Sequence, residues 1–438
     1  MTSYRSRLNK VIPGGAHTYS RGHDQFSDNS PEILLRGKGA YVYDHKDEEF
    51  LDFGMSLRAV NLGYANQEVN EAAIKQIEFG NNLTRASIVE LEAAELIVNL
   101  IDSVDMVKFT KNGSTAVSAA VKLSRAYTGR ELIARCSDHP FFSYDDWFIS
   151  STPIKKGIPN NIVNQTKVFP YNDIKALEEL FERHPNQFSC VVMEASTSEH
   201  PKESETVPGE TYLHDVQRLC RKYGVVFVLD EMITGFRWDI AGAQKYYNIS
   251  PDLCTFGKAM ANGFSVAAIA GKKEIMELGS IETKGKERVF LLSTTHGAEM
   301  CGLGAFIKTV EIIKRDNIIN HFWTYGEKLK NELTNLAIEK GLGDYFKMTG
   351  IACSPSFLTL DEKNTPSLCF RTLFQQEMIK SNVLMPWIAL SSAHGDLELE
   401  KTKFAFKKML DVYALAIEEG ADKFLRGESI KPVFRQFN

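Results

Sequence analysis

Two apolar runs in this sequence end in acids. Cys190-Val191-Val192-Met193 closes on Glu194, and Val225-Val226-Phe227-Val228-Leu229 closes on Asp230. Strands that are apolar throughout belong in sheets covered on both faces. In such sheets ligands bind beyond the carboxyl ends of the strands. A carboxylate there needs a cation or good donors; otherwise it serves only to cap the next helix. Downstream stands Gly257-Lys258, between apolar neighbours in Thr255-Phe256-Gly257-Lys258-Ala259-Met260. A partly desolvated lysine is a good nucleophile toward a carbonyl carbon and forms a Schiff base. A third stretch, Met106-Val107-Lys108-Phe109, reads as a strand. It turns through Asn112-Gly113-Ser114 into a helix beginning near Thr115, with Ala116, Ala119, Ala120, Leu123 and Tyr127 on its inner face. Exposed N–H groups at a helix N-terminus hold an anion, and Ser114 and Thr115 add hydroxyls; the same residues also suit an ordinary turn and cap.

A lysine for an aldehyde, an acid for a ring nitrogen and a cup for a phosphate are together what pyridoxal 5'-phosphate requires. Ser293-Thr294-Thr295-His296-Gly297 offers further hydroxyls beside a glycine. No G-x-G-x-x-G follows a strand here, so the cup is not a dinucleotide fingerprint.

The elements that must position these groups show in the periodicity. Tyr41–Asp44 and Glu49–Phe53 alternate as two strands of a hairpin. From about residue 65, helical spacing alternates with short apolar runs, Val266 to Ala270 among them. This pattern predicts an α/β fold with a mostly parallel, helix-covered sheet. Leu213, Val216, Leu219, Cys220 and Tyr223 share a helix face, with Gly224 placed as its C-terminal cap. Helices are expected over 303–319, 322–337 and 397–420, and short strands and loops over 345–394. The domains expected are an N-terminal arm with small-domain strands (1–60), a large cofactor-binding domain (61–300) and a smaller α+β domain (301–438).

Composition bounds the partners. With 51 Lys and Arg against 56 Asp and Glu, net charge −5, there is no nucleic-acid footprint. No apolar run reaches the roughly 20 residues that span a bilayer, and the first residues show no secretory leader. Seven scattered cysteines without a C-x-x-C predict free thiols, no metal site and a cytoplasmic protein.

From Asp230 onward the sequence resembles the class III pyridoxal-phosphate aminotransferases, in particular the branch containing glutamate-1-semialdehyde 2,1-aminomutase. The resemblance rests on Asp230-Glu231-Met232-Ile233-Thr234-Gly235-Phe236-Arg237, Gly242-Ala243-Gln244-Lys245-Tyr246-Tyr247, Pro251-Asp252-Leu253 and Gly257-Lys258 in order and spacing. It extends from Ile12-Pro13-Gly14-Gly15 to about Glu418. It implies a fold type I transferase and a homodimer with active sites at the subunit interface. By this resemblance Lys258 is the Schiff-base lysine, Asp230 pairs with the pyridine nitrogen, and Met232 lies against one ring face. Asn112, Gly113 and Ser114 match the phosphate loop, Thr294 reaches the neighbouring subunit's phosphate, and Glu194 joins the cofactor site. Phe141, or alternatively Phe142, stacks on the other ring face, and Arg21 falls where the aminomutase holds its substrate's carboxylate.

The departures concern the substrate. The aminomutase segment with Trp before Gly-Pro-Met reads Ser56-Leu57-Arg58-Ala59-Val60, which removes an aromatic wall and adds Arg58 as a second substrate-binding cation. Met385-Pro386-Trp387-Ile388 is shorter than the segment carrying the aminomutase's late acidic residue. The expected activity is amino transfer from an amine donor to a small or sugar-like aldehyde or ketone. The alternatives are the aminomutase itself and a catalytically idle relative, against which the intact Lys258 and Asp230 argue.

Overall fold

The computed structural model describes residues 3–196 and 199–438. They form two compact units, one of residues 67–319, the other of residues up to 66 together with 320–438. The strands, in chain order, are β1 (Leu34–Lys38), β2 (Tyr41–Asp44), β3 (Glu49–Asp52), β4 (Met106–Thr110), β5 (Leu132–Cys136), β6 (Thr166–Phe169) and β7 (Phe188–Glu194). There follow β8 (Val226–Asp230), β9 (Leu253–Phe256), β10 (Ala267–Gly271), β11 (Phe346–Ile351), β12 (Ser354–Thr359) and β13 (Val383–Leu384).

Residues 67–319 are built on a seven-stranded sheet in the order β4-β10-β9-β8-β7-β5-β6. Strands β6, β5, β7, β8 and β9 run parallel, and β10 runs antiparallel to both β9 and β4. Two antiparallel steps restore the direction, so β4 points the same way as β9. The carboxyl ends of β4, β7, β8 and β9 therefore share one edge. β7 and β8 are buried along their whole lengths, as their apolar sequences require of strands covered on both faces. The register sets Glu194 beside Asp230.

The helices follow local rules. Tyr212–Tyr223 is amphipathic and stops at Gly224, which is left-handed with φ 61°, a conformation glycine adopts without a Cβ penalty. The helix Gly113–Thr128 starts two residues earlier than expected. Its Asn112 side chain accepts the Thr115 N–H, and Ala116, Ala119, Ala120 and Leu123 face the core. Tyr127 does not. It is 46% exposed in the last turn and its hydroxyl reaches Glu274 at 3.3 Å, so the inner face ends at Leu123. The helix expected to run to 319 stops at Arg315, because Asn317 turns left-handed at φ 51° and a new helix, Ile318–Glu339, begins. The last long helix is Asp396–Glu419. Among the described residues no helix is long and apolar enough to cross a membrane, and no group of His, Cys, Asp or Glu is placed to hold a metal ion.

In the other unit β2 and β3 form the expected antiparallel hairpin, with β1 beside β2. β13 pairs in parallel with β3, matching Val383 to Leu51 and Leu384 to Asp52. The two ends of the chain thus share one sheet. β11 and β12 form a separate hairpin, and the helix Ile318–Glu339 approaches its turn so closely that a Cβ on Gly326 would lie 1.7 Å from the Ala352 carbonyl oxygen.

Backbone cannot yield as a side-chain tip can, so Gly326→Ala should cost roughly 1–3 kcal/mol or more by overpacking. Thermal unfolding followed by circular dichroism should show a clear drop in midpoint; an unchanged midpoint would contradict this packing.

Candidate active site

Asp230 closes β8 at 1% exposure. Desolvation raises its carboxyl pKa to about 6, against the lowering by the Met232 N–H, the Lys258 charge and the Thr255 hydroxyl. Both hydrogen-bond donors reach the same oxygen: Met232 N–H at 2.8 Å and Thr255 Oγ1 at 3.2 Å meet Oδ1. Lys258 follows β9 and is half-buried, at φ 40°, with Gly257 before it in extended backbone. The adjacency of β8 and β9 brings these two charges together.

Met232 lies between the loops. A Cβ on Gly113 would stand 2.8 Å from its sulfur, and one on Gly257 2.6 Å from it. At both glycines a Cβ would therefore push on the thioether, which packs with Ala116 and Ala267. At the end of β4 the helix beginning at Gly113 presents its N-terminus. Asn112 is exposed and its side chain is spent on Thr115 N and Oγ1, both at 2.9 Å. Ser114 is buried; its Oγ accepts the Tyr144 N–H at 3.2 Å.

Beside this cluster Glu194 is buried at the end of β7, and its own N–H donates to His139 Nδ1 at 3.1 Å. Burial lowers the His139 pKa to about 4, so the ring is neutral and its Nδ1 accepts. Phe141 is 46% exposed and meets Phe148 edge-on, whereas Phe142, 2% exposed, is packed between Phe148 and His139. Thr294 is exposed in a turn where Gly297 N–H bonds its carbonyl at 3.1 Å. In the other unit the exposed Arg21 donates through Nη2 to Ser56 Oγ at 3.0 Å. Half-buried Arg58 bears on Arg371. The Arg371 guanidinium donates to the Phe357 and Pro386 carbonyls, and its pKa falls to about 9, mainly through burial and further through the Arg58 charge.

One structural residue was not singled out in the sequence. Glu231, fully buried, accepts the Ala243 and Gln244 N–H groups at 3.0 and 2.9 Å and the Thr234 hydroxyl. It pins the loop that follows β8, and a Cβ on Gly242 would lie 2.6 Å from its Oε1. The signal was its place directly after the strand-end acid, in a run with no other cation or acid until Arg237.

The donor set fits pyridoxal phosphate: a buried carboxylate with one oxygen still open to a donor, a lysine beside it, a sulfur cradled by two glycines, and a helix N-terminus at the same sheet edge. The acid makes a pH prediction. Its folded pKa lies above its unfolded value near 4, so the folded chain binds this proton more tightly. That contribution is present below about pH 4 and is lost as pH rises through about 6. Cofactor-free Asp230→Asn should therefore be more stable than the cofactor-free parent near pH 7, by up to about 3 kcal/mol, and similar to it near pH 4. Denaturant melts at the two pH values measure this; a variant less stable near pH 7 would contradict it.

Known proteins can be set beside this geometry. Residues 23–344 match the family described as aminotransferase class III. A glutamate-1-semialdehyde 2,1-aminomutase of Thermosipho africanus is 32% identical over 421 residues, covering 91% of this chain and 96% of that one. A 3-aminobutyryl-CoA aminotransferase of Cloacimonas acidaminovorans is 31% identical over 380 residues, 86% of this chain and 87% of that one. Among solved structures, an omega-transaminase from Sphaerobacter thermophilus has a TM-score of 0.82 at 26% identity, covering 94% of this chain and 97% of its own. The chain belongs to the class III aminotransferases, enzymes whose cofactor is pyridoxal 5'-phosphate.

Proposed function

We propose that this enzyme moves an amino group from an external donor to a small or sugar-like aldehyde or ketone, and that the donor or acceptor bears a carboxylate. The observation that carries the reading is the substrate wall. Arg21 and Ser56 line a cavity of about 560 Å³ together with Phe26, Leu57 and Trp387. Leu57 stands in the segment that departs from the aminomutase pattern, and the relatives include one named an aminomutase and another named an aminotransferase.

Bound at the sheet edge, pyridoxal phosphate would supply an electron sink for the carbon that loses its proton. The protein residues do the rest. Asp230 Oδ1 is taken by Met232 N–H and the Thr255 hydroxyl, so Oδ2 would accept a hydrogen bond from the ring nitrogen and favour its protonated form. Lys258 Nζ would hold the cofactor through its aldehyde carbon and, when a donor amine is bound, would serve as the general base and acid that moves the substrate proton. The N–H groups of Gly113 and Ser114 would hold the phosphate, with Asn112 fixing the turn through Thr115 N–H. Met232 would cover one ring face. Phe141 remains our choice for the other because Phe142 is spent in the core. Glu194 borders the site beside Asp230. Arg21 grips the carboxylate, with Arg58 a second cation for it.

We further propose a homodimer in which Thr294 serves the neighbouring subunit's phosphate. Thr294 is exposed, and Ile74, Ile77, Phe79, Leu83, Ile88 and Leu91, all within eighteen residues of chain, are large, apolar and exposed. Exposed large apolar residues in such number support a buried interface there. All seven cysteines are free thiols, which supports a cytoplasmic location.

The test is spectroscopic. A transaminase given a donor alone should lose its visible cofactor band and release one oxo product per site; an aminomutase should not turn over external donors in this way. Arg21→Ala should raise KM for the carboxylate-bearing substrate by roughly tenfold to a hundredfold, the worth of a charged hydrogen bond, with the resting spectrum unchanged. Wild-type KM with every carboxylate substrate would remove Arg21 from the reading.

A further inference from the structure

The chain between β3 and Tyr64 is strained. Met55, Ser56, Leu57 and Arg58 have φ of 40°, 51°, 61° and 69° in succession, and none is glycine. A left-handed turn costs L-residues roughly 1–2 kcal/mol each, so it persists only where its surroundings fix it.

The fixing groups are on both sides. The Asp52 carboxylate, buried, accepts Gly54 N–H at 2.6 Å, Met55 N–H at 3.0 Å and the Tyr64 hydroxyl at 2.6 Å. The Trp387 indole N–H donates to the Gly54 carbonyl at 3.0 Å. His394 Nδ1 accepts the Ser391 N–H, so its Nε2 carries the proton and donates to the Asp52 carbonyl at 3.1 Å. Met55 is fully buried with Val60 and Ala389, with Tyr64 and Trp387 packed against them. The turn delivers two side chains to the cavity: Ser56, whose Oγ accepts Arg21, and Leu57 in the wall. Extended backbone at these four residues would reverse the side-chain directions and withdraw Ser56 from Arg21.

We propose that Asp52 and Tyr64 are positioning residues for substrate recognition: by holding the Met55–Arg58 turn left-handed they set Ser56 on Arg21 and so fix the guanidinium that selects a carboxylate-bearing substrate. The inference rests on the reading of Arg21 as the carboxylate grip. Among the described residues Tyr64 supplies the one side-chain donor to Asp52, beside the two backbone N–H groups of the strained segment itself.

The experiment compares Tyr64→Phe, Ser56→Ala and Ser56→Asn with Arg21→Ala in the full-length holoenzyme. Asparagine keeps an oxygen acceptor and tolerates left-handed backbone. One readout needs no substrate: the rate at which phenylglyoxal modifies Arg21, followed by peptide mass, with Arg36 and Arg315 as internal references. Tyr64→Phe and Ser56→Ala should raise the Arg21 rate at least twofold over the references, and Ser56→Asn should stay near the parent. An unchanged Arg21 rate in both, or an equal rise at all three arginines, overturns the positioning role whatever the substrate is. The second readout is kinetic, with a carboxylate-bearing substrate that the parent enzyme turns over. Tyr64→Phe and Ser56→Ala should act on KM, several-fold upward, rather than on kcat; a loss confined to kcat contradicts the inference. Arg21→Ala separates the two claims. If it leaves KM unchanged, the carboxylate reading fails; if it raises KM and the other two variants do not, only the positioning inference fails.

Discussion

Burying a carboxylate beyond the end of an apolar strand costs several kcal/mol unless cations and donors meet it, and the active site is arranged around that cost at Asp230. Two donors on one oxygen and the charge of Lys258 offset it in part, and the pKa near 6 records what is left. In our proposal a protonated ring nitrogen at the remaining oxygen would complete the balance, so cofactor binding would relieve a cost that folding creates, and the low-dielectric surroundings that make Asp230 costly would strengthen its hold on that proton.

The sheet explains why the partners converge. Asp230, Lys258 and the Asn112 turn are far apart in sequence, yet each follows a strand whose carboxyl end lies at one edge. The close approach of Met232 to Gly113 and Gly257 then ties the loops together, beside the hydrogen bond from the Ser265 hydroxyl to the Lys111 carbonyl. The other unit relies on a different physics: a costly backbone conformation at Met55–Arg58 is held by Asp52, Tyr64 and Trp387, and in our proposal it sets the grip on the substrate.

Much of the site's framework was legible because it rests on continuous apolar runs and terminal acids. β7 and β8 are fully buried and end on Glu194 and Asp230, as their sequences require. Other features left no local signal. Val266 to Ala270 reads the same in either strand direction, so the antiparallel sense of β10 emerged only from pairing. Met55-Ser56-Leu57-Arg58 contains no glycine or asparagine to mark positive φ; tertiary hydrogen bonds decide it. Tyr127 obeys the helical period but lies in a last turn where the core has ended. Glu231 was visible only as a companion of Asp230, and its work of holding Ala243 and Gln244 depends on a loop whose path the sequence does not state.

The central claim is that Lys258, paired with Asp230 at this edge, carries the cofactor. Borohydride reduction of the yellow holoenzyme followed by peptide mapping tests it directly. The account predicts one pyridoxyl group per chain, on Lys258. A label on another lysine, or no visible band after reconstitution with pyridoxal 5'-phosphate, would contradict it.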